Sequence, residues 1–271
     1  MPIDPPAAPR APDAPSVGAI SCYRTVTPSA LRAQASSIAR VLSAIGGAAP
    51  ADVMFWLMPD GRGFGYADSG ALFEASSDGR LAASADDAEA DARSALQRVD
   101  AGFGKDGTAA ALKVAGVLPA DLVLFNATPV YAPETSSADH WLCRFVPRLR
   151  CRSSEAPCAV VDATIEVRVG RSRRLLGMAA RWLPFDQEML CSPIAPPDPR
   201  QLGWSAQSRQ RDGIESQDAA ASDGSRIVYA PAQASDGETW LLPCHVFDDD
   251  PLQRRYPAAQ HRLNDGLEAA A

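Results

Sequence analysis

The sequence predicts an α+β fold made of two helix-plus-antiparallel-sheet units, and three observations carry that expectation. Two stretches repeat apolar residues at helical spacing, and each leads into extended sequence broken by turn signals. The segment Val160 to Phe185, VVDATIEVRVGRSRRLLGMAARWLPF, alternates as a β-hairpin around the polar turn Gly170-Arg171-Ser172-Arg173. A later run, RIVYAPAQASDGETWLLPCHVF, takes the same form around Ser235-Asp236-Gly237. The implied organisation is a disordered tail over 1–18, a first unit over 19–84 and a second over 85–250. The second unit carries a long polar insertion at 186–225, and 251–271 forms a C-terminal tail.

In chain order, MPIDPPAAPRAPDAPSVG is Pro/Ala-rich and lacks the basic-then-apolar pattern of a signal peptide. Ile20–Val26 reads as a strand. Thr27-Pro28 then supplies an N-cap and first helical position for a helix over Pro28–Ile45, which Gly46-Gly47 stops. A strand over Asp52–Met58, the turn Pro59-Asp60-Gly61 and a return over Gly63–Tyr66 make a meander, continued past Asp68-Ser69-Gly70 by Ala71–Glu74. Asp86–Val99 is helical, with acidic residues in its first turn, and a further helix spans Thr108–Val117. Asp121–Tyr131 is extended. His140–Leu149 is a strand that Pro147 would confine to an edge or bulge.

The hairpin's register follows from keeping its apolar residues on one face. Pairing Val169 with Arg174 sets Val167 against Leu176, Ile165 against Met178 and Asp162 against Arg181. One face is then apolar and the other carries Thr164, Glu166 and Arg168, so something must pack on the apolar side. The Arg171, Arg173 and Arg174 cluster reads as a solvated tip. Beyond Asp186 the composition shifts to Pro, Ser, Gln and Asp, and the fold resumes at Arg226–Ala230 and Thr239–Phe247.

A chain of 271 residues with 46% hydrophobic and 22% charged residues builds an ordinary globular core. Its net charge of -7 argues against general nucleic-acid binding, and no run reaches the length of a membrane-spanning helix. Basic residues are nearly all Arg, and Ala and Pro are abundant, as in a GC-rich bacterial coding sequence. The compartment is left open between cytoplasmic and, after loss of a leader, extracytoplasmic. Among six cysteines no CxxC pair occurs; Cys151 and Cys158 flank the loop CRSSEAPC, where either a loop-closing disulfide or buried thiols fit.

Three stretches resemble bacterial PepSY-type repeat proteins: LPADLVLFN, then WLCRFVPRLRCRSSEAPCAVVDATIEVRVGRSRRLLGMAARWLPF, then IVYAPAQASDGETWLLPCHVF. In that family a helix lies across a small antiparallel sheet. A strand ends in a Trp-Pro-like element, and Tyr-containing and Leu-Pro strands close the sheet. The helix that would precede Ile227 is replaced here by the Pro/Ser/Gln stretch. The resemblance covers about half the chain and implies a binding module rather than chemistry.

The sequence contains no Gly-rich phosphate loop, nucleophile elbow or paired-cysteine metal site, so no cofactor or metal is expected. Gly61–Gly65 is a turn. Glu166, Asp68 and His245 are the candidate acid–base groups; a carboxylate facing an apolar cavity would have a raised pKa and act as a general acid. Trp182, Tyr229, Trp240, Met178 and Arg181 are the candidate binding residues, because adjacent hairpins would gather them around an apolar surface. Two functions fit. One is a non-catalytic module that takes a protein or small apolar ligand on its sheet face. The alternative is a cofactor-independent cyclase or isomerase with an apolar cavity and one carboxylate or His as acid–base.

Overall fold

A computed structural model describes residues 18–70, 79–105, 121–132, 136–150, 157–198, 225–233, 237–248, 250, 252 and 254–263. The expected tail over 1–17, the Ala71–Glu74 run, the Thr108–Val117 helix, Cys151 and most of the polar insertion (199–224) lie outside the described residues. The fold is α+β, with helices packed on mostly antiparallel sheet.

Strand β1 (Ile20–Thr25) leads into the expected helix, whose cap forms as anticipated: the Thr27 hydroxyl accepts from the Ala30 N–H at 3.2 Å. The helix is broken once, into α1 (Pro28–Ala33) and α2 (Ala35–Gly46). At the break the Gln34 N–H donates to Leu31 O at 3.1 Å in a tightened turn. Gly47 ends α2 in the left-handed conformation, φ 73°. The hairpin β2 (Val53–Leu57) and β3 (Phe64–Asp68) follows, and then α3 (Ala85–Lys105). Ala88, Ala92, Ala95, Leu96, Val99 and Phe103 repeat at three- and four-residue steps, and all are buried.

Next come β4 (Asp121–Tyr131), β5 (Ala138–Leu149), the short β6 (Cys158–Ala159), β7 (Thr164–Val169) and β8 (Leu175–Arg181). The chain continues through β9 (Phe185–Cys191), β10 (Ser225–Gln233), β11 (Thr239–Phe247) and β12 (Tyr256–Pro257). Among the described residues these strands form two sheets. One runs β2-β3-β8-β7-β5-β4 with β6 beside β5; the other runs β10-β11-β1-β9 with β12 beside β11. Strands from 53–68 therefore share a sheet with strands from 121–181, and β1 is enclosed by strands from the last third of the chain. Helices α2 and α3 pack together on the larger sheet, α2 over β2, β3 and β8, α3 over β4, β5 and β7.

The central hairpin, β7 and β8, has its expected faces but a corrected register. Ile165 lies opposite Ala180 and Val167 opposite Met178, two residues away from the expected pairing. The cause is the turn. Ser172 and Arg173 both take positive φ (55° and 61°), the Gly170 N–H reaches Arg174 O at 2.9 Å, and a bulge follows between Arg168 and Val169. A shift of two preserves the pleat, so Ile165, Val167, Met178 and Ala180 still share the buried face under α3 and α2. The arginine tip is not simply solvated. Arg173 pairs with Asp91 of α3 at 2.9 Å, and the Ser172 N–H donates to Arg80 O at 3.1 Å.

Three further expectations are corrected. Strand β5 lies inside its sheet, between β4 and β7, although it contains Pro147. Pairing with β7 stops at Phe145 and pairing with β6 starts at Arg148, so the residue without an N–H falls in the gap. Residues 186–191, expected to open the polar insertion, instead belong to edge strand β9 (Phe185–Cys191) against β1. Gln187 and Glu188, on its two faces, are both exposed, as an edge strand allows. Finally, the fold does not end at Asp250. The buried Asp250 carboxylate accepts from the Leu252 and Arg254 N–H groups at 3.0 and 2.9 Å, and Ala258 and Ala259 are buried beside β11.

Candidate functional site

The two sheets are joined where the chain crosses between them. Beyond β8, Trp182-Leu183-Pro184 carries it toward β9, and the Val26 N–H donates to Pro184 O at 2.8 Å. Between β6 and β7, Val160-Val161-Asp162-Ala163 makes the opposite flank, anchored by a 2.8 Å bond from the Val161 N–H to Tyr229 O. Asp162 turns this corner at φ 58°. A narrow cleft, open to solvent, lies between these crossings and the β10–β11 hairpin. Val160, Val161, Trp182, Leu183, Pro231 and Leu241 give it an apolar wall. Pro231 and Leu241 are direct cross-strand partners, so the pleat delivers both to the same face.

The lip is polar. Arg62 and Arg181 reach it from the β2–β3 turn and the end of β8, opposite the single lining carboxylate of Asp162. Arg181 pairs with Asp60 at 3.2 Å, and Arg62 with the same carboxylate at 3.5 Å. The Arg62 backbone N–H, followed by the charges of Arg181 and Arg62, holds the Asp60 carboxyl below the usual aspartate value. Asp162, expected opposite Arg181, instead meets Arg255 at 3.6 Å. The lining thus sets three charged side chains, Arg62, Asp162 and Arg181, beside an apolar majority.

Of the five candidate binding residues the structure brings two to this cleft, Trp182 and Arg181. Tyr229 shares a face with Pro231 but lies deeper, fully buried, its ring 5.5 Å from Tyr23 and its hydroxyl donating to Ser21 O at 3.1 Å. Trp240 points to the other face of β11, where its ring lies 4.8 Å from His261. Met178 is buried under the helices, opposite Val167 and Tyr66. Sequence reasoning missed Val160, Leu183, Pro231 and Leu241 as a set, because the crossings that gather them have no local pattern.

The three candidate acid–base groups lie apart from one another and none lines the cleft. Glu166 is on the outer face of β7, held by its cross-strand neighbour Arg144 at 2.6 Å. Asp68 is buried at the end of β3, where Arg174 binds its carboxylate and also donates to Gly46 O at the end of α2 at 3.0 Å. Beside it the Tyr66 hydroxyl is buried, and desolvation together with the Asp68 charge pushes it up to about 12. His245 is buried on β11 with Nε2 against Ile194 O at 2.8 Å. Among the described residues no group of three or more His, Cys, Asp or Glu side chains is placed to hold a metal ion. No helix of the described residues is long and apolar enough to cross a membrane. Comparison of the chain with protein-family models, curated proteins and solved structures found no match, so the residues themselves carry the functional argument.

Proposed function

We propose that this protein is a binding module whose cleft between the two sheets takes a small, largely apolar molecule with an anionic end. The observation that carries this reading is the composition of the cleft. Its walls are aliphatic and aromatic, and two guanidiniums stand at the lip. An apolar body would bury against Trp182, Leu183 and Leu241, while Arg62 and Arg181 exchange part of their contact with Asp60 for the ligand's acid group. Binding is favoured over proton-transfer chemistry because Glu166, Asp68 and His245 are each committed to other partners away from the cleft. The resemblance to PepSY-type proteins, in which a helix lies across an antiparallel sheet, points the same way.

The test uses 1-anilinonaphthalene-8-sulfonate, an apolar aromatic with a sulfonate, titrated into the native full chain and followed by fluorescence. Saturable binding is expected, weakened about tenfold by Arg181→Ala, equivalent to about 1.4 kcal/mol. Binding is abolished by Ala163→Phe, which fills the cleft, with circular dichroism reporting that the fold is retained. Equal binding to wild type and the filled variant would refute the assignment.

A further inference from the structure

We infer that Cys22 and Cys191 are a disulfide-forming pair that covalently ties the first strand of the fold to β9. The two belong to neighbouring strands. Ile20 pairs with Cys191 and Cys22 with Met189, so the cysteines are diagonal neighbours on one face of the sheet. Their sulfurs are already in contact, Sγ to Sγ 3.1 Å, with the Cys22 thiol directed at Cys191. A disulfide requires about 2.05 Å between sulfurs. Roughly 1 Å of further approach therefore separates the contact from the bond.

The other described cysteines are otherwise engaged. Cys244 lies across β1 on β11, and its thiol is directed at Leu242 O at 3.5 Å. Cys143 points under α3, toward Ala88 O at 3.5 Å. Cys158 lies in β6, opposite Leu149. Of the pair itself Cys22 is fully buried, whereas Cys191, the last residue of β9, retains 7% exposure. This sets the order of exchange with an external disulfide, R–S–S–R. The Cys191 thiolate attacks one sulfur and releases R–S⁻. The Cys22 thiolate then attacks the Cys191 sulfur of the mixed disulfide and releases the second R–S⁻. Two thiol protons pass to the two released thiolates, and the external disulfide is reduced by two electrons as the pair is oxidised.

Burial, and then the neighbouring Cys191 thiol, push the Cys22 thiol above the ordinary thiol value. The folded, reduced pair is thus slow to react, and the bond closes most readily as the chain folds. The segment it closes spans 169 residues and encloses the whole larger sheet, so the cross-link restricts the unfolded chain strongly.

The experiment refolds the full chain from denaturant in a glutathione and glutathione-disulfide buffer. Free thiols are then blocked with iodoacetamide and unreduced peptides are mapped by mass spectrometry. The expected result is one linked pair of peptides containing Cys22 and Cys191, lighter than the dithiol by two hydrogens. Thermal unfolding should move up by roughly 5–15 °C relative to the reduced protein. Cys191→Ala should remove both effects and Cys244→Ala neither. Should the Cys191 variant fail to fold, the wild-type peptide map decides alone. Separate alkylation of Cys22 and Cys191, or a link from Cys22 to Cys244 or Cys151, would overturn the inference.

Discussion

Arg174 shows how a single side chain can hold three elements. From the base of β8 it binds the buried Asp68 carboxylate of β3 and caps the end of α2 through Gly46 O. A cation at a helix C-terminus is favoured by the backbone dipole, and the same charge offsets the desolvation of Asp68. Arg174→Met should cost about 2–4 kcal/mol in urea unfolding, below the cost of a fully buried pair because the arginine is partly exposed. A loss under 1 kcal/mol would mean that Asp68 finds other compensation. Asp250 makes a related case near the C-terminus. Burial alone would raise its carboxyl, but the Arg254 side chain and two backbone donors outweigh this and hold it below the usual value. A group whose folded pKa is depressed contributes stability above its unfolded pKa and loses it as pH falls through the folded value. The urea midpoint should therefore be flat from pH 7 to about 5 and fall below about pH 4, with a shallower fall in Asp250→Asn. An identical acid limb in the variant would remove Asp250 from the account.

At the level of elements, hairpins depend on what their turns permit. Gly63, where the chain enters β3, lies against the end of β8: an added Cβ would come within 2.0 Å of Ala180 O and 2.9 Å of Arg181 Cα. Those are backbone atoms that cannot rotate aside, so Gly63→Ala should destabilise by about 1–3 kcal/mol. Gly104→Ala, at an open helical position, should stay within about 0.5 kcal/mol. Equal midpoints for the two variants would show that β3 and β8 can separate without cost. The same elements show what the sequence discloses. Alternation from Val161 to Leu183 fixes which side chains face the core, because parity is a local property. The pairing itself is displaced by two residues, since it depends on left-handed turn residues at Ser172 and Arg173 that alternation does not encode. Capping by Thr27 and the stop at Gly47 were legible for the opposite reason, being set by the residue types at those positions.

On the scale of the molecule, the layout is governed by long-range pairing. β1 lies between β11 and β9, more than 160 residues away along the chain, and no periodicity within Ile20–Thr25 names those partners. The cleft inherits that property. Trp182 and Arg181 were identifiable as a conspicuous aromatic and cation at a strand end, whereas Val160, Pro231 and Leu241 join them only once the two sheets are set side by side. None of the three alternative acid–base candidates lines the cleft, because each was judged within its own strand. The most direct test of the central claim is a two-dimensional NMR titration of the full chain with 1-anilinonaphthalene-8-sulfonate, following the tryptophan indole N–H signals. The Trp182 signal is expected to shift saturably, while Trp141, whose indole N–H is held by Ala82 O at 3.0 Å, stays in place. A titration that moves the Trp141 or Trp56 signal and leaves Trp182 unchanged would contradict it.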